Sequence, residues 1–307
     1  MATYKLICLI GPTGSGKTAL SFALAERLKK VEFIYADSLA VYKYLDIGTD
    51  KPPLEYRQRI PHHLVDFLDP KERWSAFDFK KEAIRLFFDT RVRQALPVVT
   101  GGTAFYLHTL WRPSLYEGMS SDWRIRVWLS RLQKEQLFAL LKEVDSSRAR
   151  KIGKNDHQRL VRAWEIFLKT GHVPSERKKK HFPLFSPLFF GIHWEKETLK
   201  KRIAERVERM FQRGIIEEVE GLFTRGYTFP IPALDNFTYL PVVQFLQGEI
   251  SLEEAKEKIK KGTFLFARRQ INWFRKWPVT WFPGENMSQE TMAREIYQSL
   301  EKEGVFE

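Results

Sequence analysis

The sequence predicts an α/β fold in which a P-loop-type parallel sheet is flanked by helices and carries a helical insertion domain. Three observations predict it. A complete phosphate-loop pattern lies between a strand-like and a helix-like run, short apolar runs alternate with helix-like segments, and one basic stretch with helical periodicity interrupts that alternation.

The first apolar run, residues 6–10 (LICLI), leads into Gly11-Pro12-Thr13-Gly14-Ser15-Gly16-Lys17-Thr18, which completes G-x-x-x-x-G-K-[ST], and residues 19–28 continue as a helix. Glycines let such a chain turn tightly, so that backbone N–H groups point at phosphate oxygens at the positive end of the next helix. Lys17 adds a mobile positive charge, and the Thr18 hydroxyl a ligand for Mg2+ shared with the phosphates. The pattern thus predicts a diphosphate or nucleotide site and a magnesium cofactor. A glycine-rich turn that binds nothing is the bland alternative, and the strand–helix context weighs against it.

Apolar runs at residues 31–35 and 96–99 are each followed by polar or glycine-rich residues and then by helix-like sequence, the pattern of parallel strands with crossover helices. Ligands bind beyond the carboxyl ends of such strands. That gathers the phosphate loop, Asp37-Ser38 and Gly101-Gly102-Thr103 around one crevice. Asp37 has two chemical uses there, holding magnesium or taking a proton from an attacking nucleophile, and one structural use, capping the next segment. Spacing alone does not choose among them. Gly101-Gly102 either admit a ligand to the backbone, with the Thr103 hydroxyl as a hydrogen-bonding partner, or form a plain strand-end turn. His62 and His63 follow Pro61 in an expected loop and read as structural, since no further metal ligands accompany them. Cys8 reads as core, and a single cysteine excludes an intrachain disulfide or a cysteine-rich zinc site.

From residue 113 to 184 the strand signals stop. Helical periodicity appears at 123–144 and 155–168, and 16 basic residues face eight acidic ones, more than half of the chain's cationic excess in under a quarter of its length. We read residues 113–184 as an insertion domain that touches a polyanion, against the alternative of a solvated helical face, and residues 1–112 with 185–307 as the core. The run Arg177-Lys178-Lys179-Lys180 closes the insertion. A strand at 188–194 then precedes an amphipathic helix at 196–214, where Arg202 and Arg206 share one face. A last helix, 252–277, interleaves arginine with aromatic residues from Arg268 to Arg275, a composition that suits RNA contact or packing on the core with the guanidinium groups in water.

Composition agrees with a polyanionic partner. Fifty-one Lys and Arg against 38 Asp and Glu leave a formal charge of +13, and nucleic acid is the leading candidate. At 307 residues and 43% hydrophobic content the chain can bury a full core. The first residues carry no signal-peptide pattern, and no apolar run approaches the roughly 20 residues of a membrane helix. A soluble, cytoplasmic monomer with no membrane association is expected.

Several blocks in order carry a more specific message. The phosphate loop, Asp37-Ser38, Asp46-Ile47-Gly48-Thr49-Asp50-Lys51-Pro52, Pro61-His62-His63-Leu64-Val65-Asp66, Pro97 to Thr103, Asp156 with Gln158-Arg159-Leu160, Arg202 with Arg206, and Arg268-Arg269-Gln270 with Trp273-Phe274-Arg275 together resemble the tRNA dimethylallyltransferase (isopentenyltransferase) family. The resemblance implies transfer of a dimethylallyl group from dimethylallyl diphosphate to the exocyclic N6 amine of the adenosine 3′-adjacent to the anticodon. The loop would then grip a leaving diphosphate, aided by Lys17, Mg2+ at Thr18, Arg202 and Arg206. Asp37 would be the general base, and Thr13 would orient the amine. Contacts to the tRNA anticodon arm would fall to Asp37, Ser38, Leu39 and Ala40, to Thr103 and Arg126, to Gln158, Arg159, Leu160, Val161 and Arg162, and to Arg268, Arg269, Gln270, Trp273 and Arg275. Two departures stand out: Ala40 where many members carry glutamine, and Thr238-Tyr239-Leu240 where a glycine and a cation are usual. The competing reading is a small-molecule or nucleotide kinase, which the loop alone would suit; a third is a nucleotide-controlled RNA-binding switch without group transfer.

Overall fold

The apolar run before the phosphate loop becomes the middle of the sheet. In the computed structural model, which describes residues 3–111, 121–176 and 184–306, β1 (Tyr4–Ile10) pairs in parallel with β4 (Leu96–Gly101) on one side and β5 (Phe185–His193) on the other. β2 (Val31–Tyr35), β3 (His62–His63) and β6 (Val279–Pro283) complete a six-stranded parallel sheet in the order β3-β2-β4-β1-β5-β6. All five residues of β2 and the last five of β1 are buried, as expected of strands covered on both faces.

α1 (Lys17–Ala25) and α13 (Gln289–Lys302) pack together on one face, over a core that includes Leu9, Leu20, Leu24, Phe33, Ile296 and Leu300. α3 (Ala76–Val92), α4 (Ala104–Trp111) and the end of α12 (Leu252–Phe274) cover the other, burying Leu6, Cys8, Phe79, Phe87 and Phe274. Cys8 is therefore core, as read from its run. A third cluster joins α9 (Lys196–Gln212), α10 (Ile215–Thr224), α11 (Leu240–Leu246) and α12 to residues 41–45 and lies above the carboxyl end of the sheet. α2 (Leu54–Arg59) leads into β3.

The basic stretch folds as α5 (Trp123–Ser130), α6 (Lys134–Val144), α7 (Ser146–Ile152) and α8 (His157–Thr170), with a 3-10 turn at Pro174–Glu176. Leu129, Leu137, Leu141, Leu160 and Ala163 form a small core of their own. Asp122, Asp145 and Asp156 each cap a helix by accepting backbone N–H groups, which explains why three of these helices follow directly on an aspartate. The run from Arg177 to Lys180 lies outside the described residues.

Boundaries differ from the expectation where glycine sets them. The first helix begins at Lys17, because Gly16 at φ 95° turns the phosphate loop straight into it. The helix expected over 196–214 ends at Gln212, and Gly214 at φ 92° starts α10 in a new direction. His62 and His63 form an edge strand rather than a loop. Their structural reading stands: His63 Nε2 lies 2.7 Å from the buried Glu32 carboxylate, which also accepts from Arg93 and Thr90. Among the described residues no helix is long and apolar enough to cross a membrane.

Candidate active site

Two glycines in the left-handed region, Gly14 at φ 78° and Gly16, fold the chain after β1 into a cradle that ends at the amino terminus of α1. First-turn N–H groups of a helix have no partner within it and sit at its positive end. They border a cavity of about 370 Å3 enclosed by the loop, the ends of β2 and β4, and α9. Lys17 lies in this wall. Its Nζ donates to the carbonyls of Gly11 (2.9 Å) and Pro12 (2.8 Å), and burial pulls its pKa down to about 8, opposed by the nearby Asp37 carboxylate. An anion in the cavity would reverse that shift by favouring the charged amine.

The face shared by Arg202 and Arg206 does point at the loop. Arg202 Nε donates to the Gly14 carbonyl (3.0 Å), and its guanidinium lies 4.0 Å from the centre of the Trp194 ring. Trp194 in turn donates from Nε1 to the Ser15 carbonyl (2.9 Å). Arg206 Nη1 donates to Thr13 Oγ1 (2.7 Å), and its Nε lies 3.4 Å from Asp50 Oδ2. Positive charge therefore reaches the cavity from the loop and from α9 across it.

Asp37 follows β2 by two residues and lines the same cavity. Its Oδ1 accepts the backbone N–H groups of Leu39 (2.8 Å) and Ala40 (3.1 Å), so the capping use is real. Oδ2 has no hydrogen-bond partner among the described residues, and one carboxylate can serve both purposes. Ser38 N–H donates to Thr103 Oγ1 (3.2 Å), and Thr103 N–H to the Ala36 carbonyl (3.0 Å). These bonds tie the Asp37-Ser38 turn to the end of β4. Gly101 is required there, since a Cβ would stand 2.3 Å from the Ala36 carbonyl oxygen.

Asp46 to Asp50 form another wall, held by one side chain from α10. Glu218 accepts from the backbone N–H groups of Asp46 (2.6 Å), Ile47 (2.6 Å) and Gly48 (3.2 Å), and from the Tyr239 hydroxyl (2.7 Å). Tyr239 is wholly buried and packs on Gly48, where a Cβ would come within 2.5 Å of its ring. The Thr238-Tyr239-Leu240 departure thus lies around a core residue that supports this wall.

The residues carried over as tRNA contacts separate by exposure. Gln158, Arg159, Arg268, Arg269 and Arg275 are exposed. Arg126 and Arg162 are held by Glu165, fully buried beneath them, whose carboxylate accepts from both and stays ionised because of them. Trp273 is half-buried, its ring against His108. Three side chains are turned inward: Leu160 and Val161 belong to the small core of α5–α8, and Gln270 is 4% exposed on the inward stripe of α12. Ala40 is 2% exposed, packs in the sheet core and borders the cavity beside Asp37.

Sequence reasoning passed over Trp194, Glu218 and the role of Asp50. Trp194 closes the predicted strand at 188–194, and Glu218 lies just beyond the predicted helix at 196–214, but nothing local reveals that either reaches the phosphate loop or its neighbouring wall.

For magnesium the donor set is sparse but suitable. Among the described residues no group of three or more acidic, histidine or cysteine side chains gathers. A magnesium ion that keeps several waters and binds substrate phosphates needs only one or two protein oxygens, which the Thr18 hydroxyl beside the cavity fits.

Comparison with known proteins agrees with this arrangement. A family model described as IPP transferase matches residues 40–277. A tRNA dimethylallyltransferase of Carboxydothermus hydrogenoformans is 38% identical over 95% of this chain and 96% of its own length, and one of Pseudothermotoga lettingae 40% identical over 89% and 87%. Among solved structures, a tRNA delta(2)-isopentenylpyrophosphate transferase of Staphylococcus epidermidis superposes with a TM-score of 0.73 at 33% identity, covering 98% of this chain and all of that one. A eukaryotic dimethylallyltransferase acting on tRNA gives 0.83 at 28% identity, over 99% and 80%. With the phosphate loop, the Asp37 turn and the paired arginines of α9 converging on one cavity, and with relatives matched over nearly the whole chain, the protein belongs to the IPP transferase family.

Proposed function

We propose that this protein transfers a dimethylallyl group from dimethylallyl diphosphate to the exocyclic N6 amine of the adenosine 3′-adjacent to the anticodon of tRNA. One observation carries the reading: Asp37, a carboxylate with one oxygen unpaired among the described residues, shares a cavity with a phosphate cradle that is cationic on two sides. The amine nitrogen bonds to the allylic carbon while that carbon's bond to the diphosphate oxygen breaks, and the displaced proton passes to Asp37. Loop N–H groups, Lys17, Arg202 and Arg206 receive the charge that grows on the departing diphosphate, which is where preorganised donors lower a barrier most. Magnesium, when held at Thr18, adds positive charge to the same leaving group.

An aromatic amine is a weak nucleophile, so alignment supplies much of the rate. Arg206 fixes the Thr13 hydroxyl from one side, and Thr103 fixes the Asp37 turn from the other. The adenosine leaves its stack to reach them at a cost of a few kcal/mol, offset by contacts along the anticodon arm. Exposed arginines of the insertion, together with those of α12, suit that arm.

The test is incubation of purified protein with unmodified tRNA, magnesium and labelled dimethylallyl diphosphate. Label is expected in the RNA, and Asp37→Asn should cut turnover by about a hundredfold while inorganic diphosphate still binds. Full turnover in Asp37→Asn would leave Asp37 a cap alone. Phosphate transfer from a nucleoside triphosphate to a small acceptor, with no label in RNA, would restore the kinase reading.

A further inference from the structure

Gln270 lies in the segment of α12 whose neighbours Arg268, Arg269 and Arg275 are exposed, yet it is 4% exposed and both ends of its amide are used inside the protein. Its Oε1 accepts the backbone N–H of Thr13 (2.9 Å), and its Nε2 donates to the Gly102 carbonyl (2.7 Å). The amide therefore spans from the phosphate loop to the turn after β4, and only glycine leaves room for it: a Cβ on residue 102 would stand 2.2 Å from Nε2.

Thr13 is consequently gripped twice, by Gln270 at its backbone N–H and by Arg206 at its hydroxyl. The first grip keeps the Thr13 N–H out of the set that can face a diphosphate. It also ties one turn of α12 to the residue that borders both the leaving group and the attacking amine.

We propose that Gln270 is a positioning residue for the transfer reaction, holding Thr13 in register between the phosphate cradle and Asp37, and that it makes no contact with RNA. The proposal rests on the transferase reading for its kinetic consequence, while its structural content stands independently. A buried amide that is replaced by an apolar group of similar size leaves both a donor and an acceptor unsatisfied, so the loop shifts to recover partners.

The experiment compares Gln270→Leu and Gln270→Glu with the parent protein. For Gln270→Leu, kcat should fall at least tenfold with tRNA affinity, measured by filter binding, within twofold of the parent. Gln270→Glu retains an acceptor for Thr13 but, when ionised, sets a carboxylate oxygen against the Gly102 carbonyl, and should lower kcat at least as far as Gln270→Leu. Independently of activity, the Thr13 amide should exchange with solvent at least tenfold faster in Gln270→Leu. A variant that keeps kcat but loses tRNA affinity would make Gln270 an RNA contact, and unchanged Thr13 exchange would show that the clamp does not hold; either result overturns the proposal. If the parent protein itself transferred nothing, the reading of the reaction would fall, and Thr13 exchange would still decide the clamp.

Discussion

Lys17 carries a titration close to neutral pH. Burial against its own loop carbonyls holds the amine near pKa 8, well below an unperturbed lysine, so at neutral pH it is charged and above pH 8 it progressively is not. Diphosphate prefers the charged form, so affinity should be flat below about pH 8 and weaken above it, by about tenfold at pH 9, where roughly one molecule in ten keeps the proton. The ligand's own titration cancels when the parent is compared with Lys17→Arg, whose guanidinium stays charged throughout. Calorimetry with inorganic diphosphate from pH 7 to 9.5 checks this; parallel pH profiles for the two proteins would place the lysine pKa elsewhere. Lys17 was legible in the sequence because its motif is contiguous and its partners are its own loop. Gln270 was not, because its two partners lie at residues 13 and 102 and only the folded chain brings them together. Arginine-rich surroundings made it read as one more surface contact.

At the scale of elements the same division recurs. Strands and the helices beside them were visible wherever an apolar run met a glycine or an aspartate cap, as at β1, β2 and α8. The wall from Asp46 to Asp50 was not, since it is neither strand nor helix and owes its shape to Glu218 on α10 and Tyr239 before α11. Three backbone N–H groups and a hydroxyl converge on one carboxylate, an arrangement that a carboxamide cannot satisfy because its NH2 would confront donors. Glu218→Gln is expected to lower unfolding free energy by about 2 kcal/mol, the order of one charge-assisted bond lost with a donor left unpaired. It should also loosen Asp50 beside Arg206 and so weaken diphosphate binding. Urea unfolding together with calorimetry checks both. A loss of stability with unaltered diphosphate affinity would confine Glu218 to holding the fold.

For the whole molecule the question is where the +13 charge acts. Part of it is engaged internally: Arg202 and Arg206 face the cavity, while Arg126 and Arg162 share the buried Glu165. Glu165 sets the direction of both arginines and leaves Arg126 at the surface. Arg159 is 62% exposed and pairs with the helix-capping Asp156, and Arg269 projects from α12. These two stand on different elements, so their roles test whether the insertion and the core grip the same RNA. Each phosphate contact releases condensed counterions, and its removal should flatten the plot of log affinity against log salt by about 0.7–0.9. Arg159→Ala and Arg269→Ala are each expected to show that change, and the double variant about twice it, with diphosphate affinity unaffected. Filter binding of tRNA between low and moderate salt measures the slopes. If Arg269→Ala changes the slope and Arg159→Ala does not, the RNA rests on the core alone, and the cationic surplus of α5–α8 is only a solvated helical face.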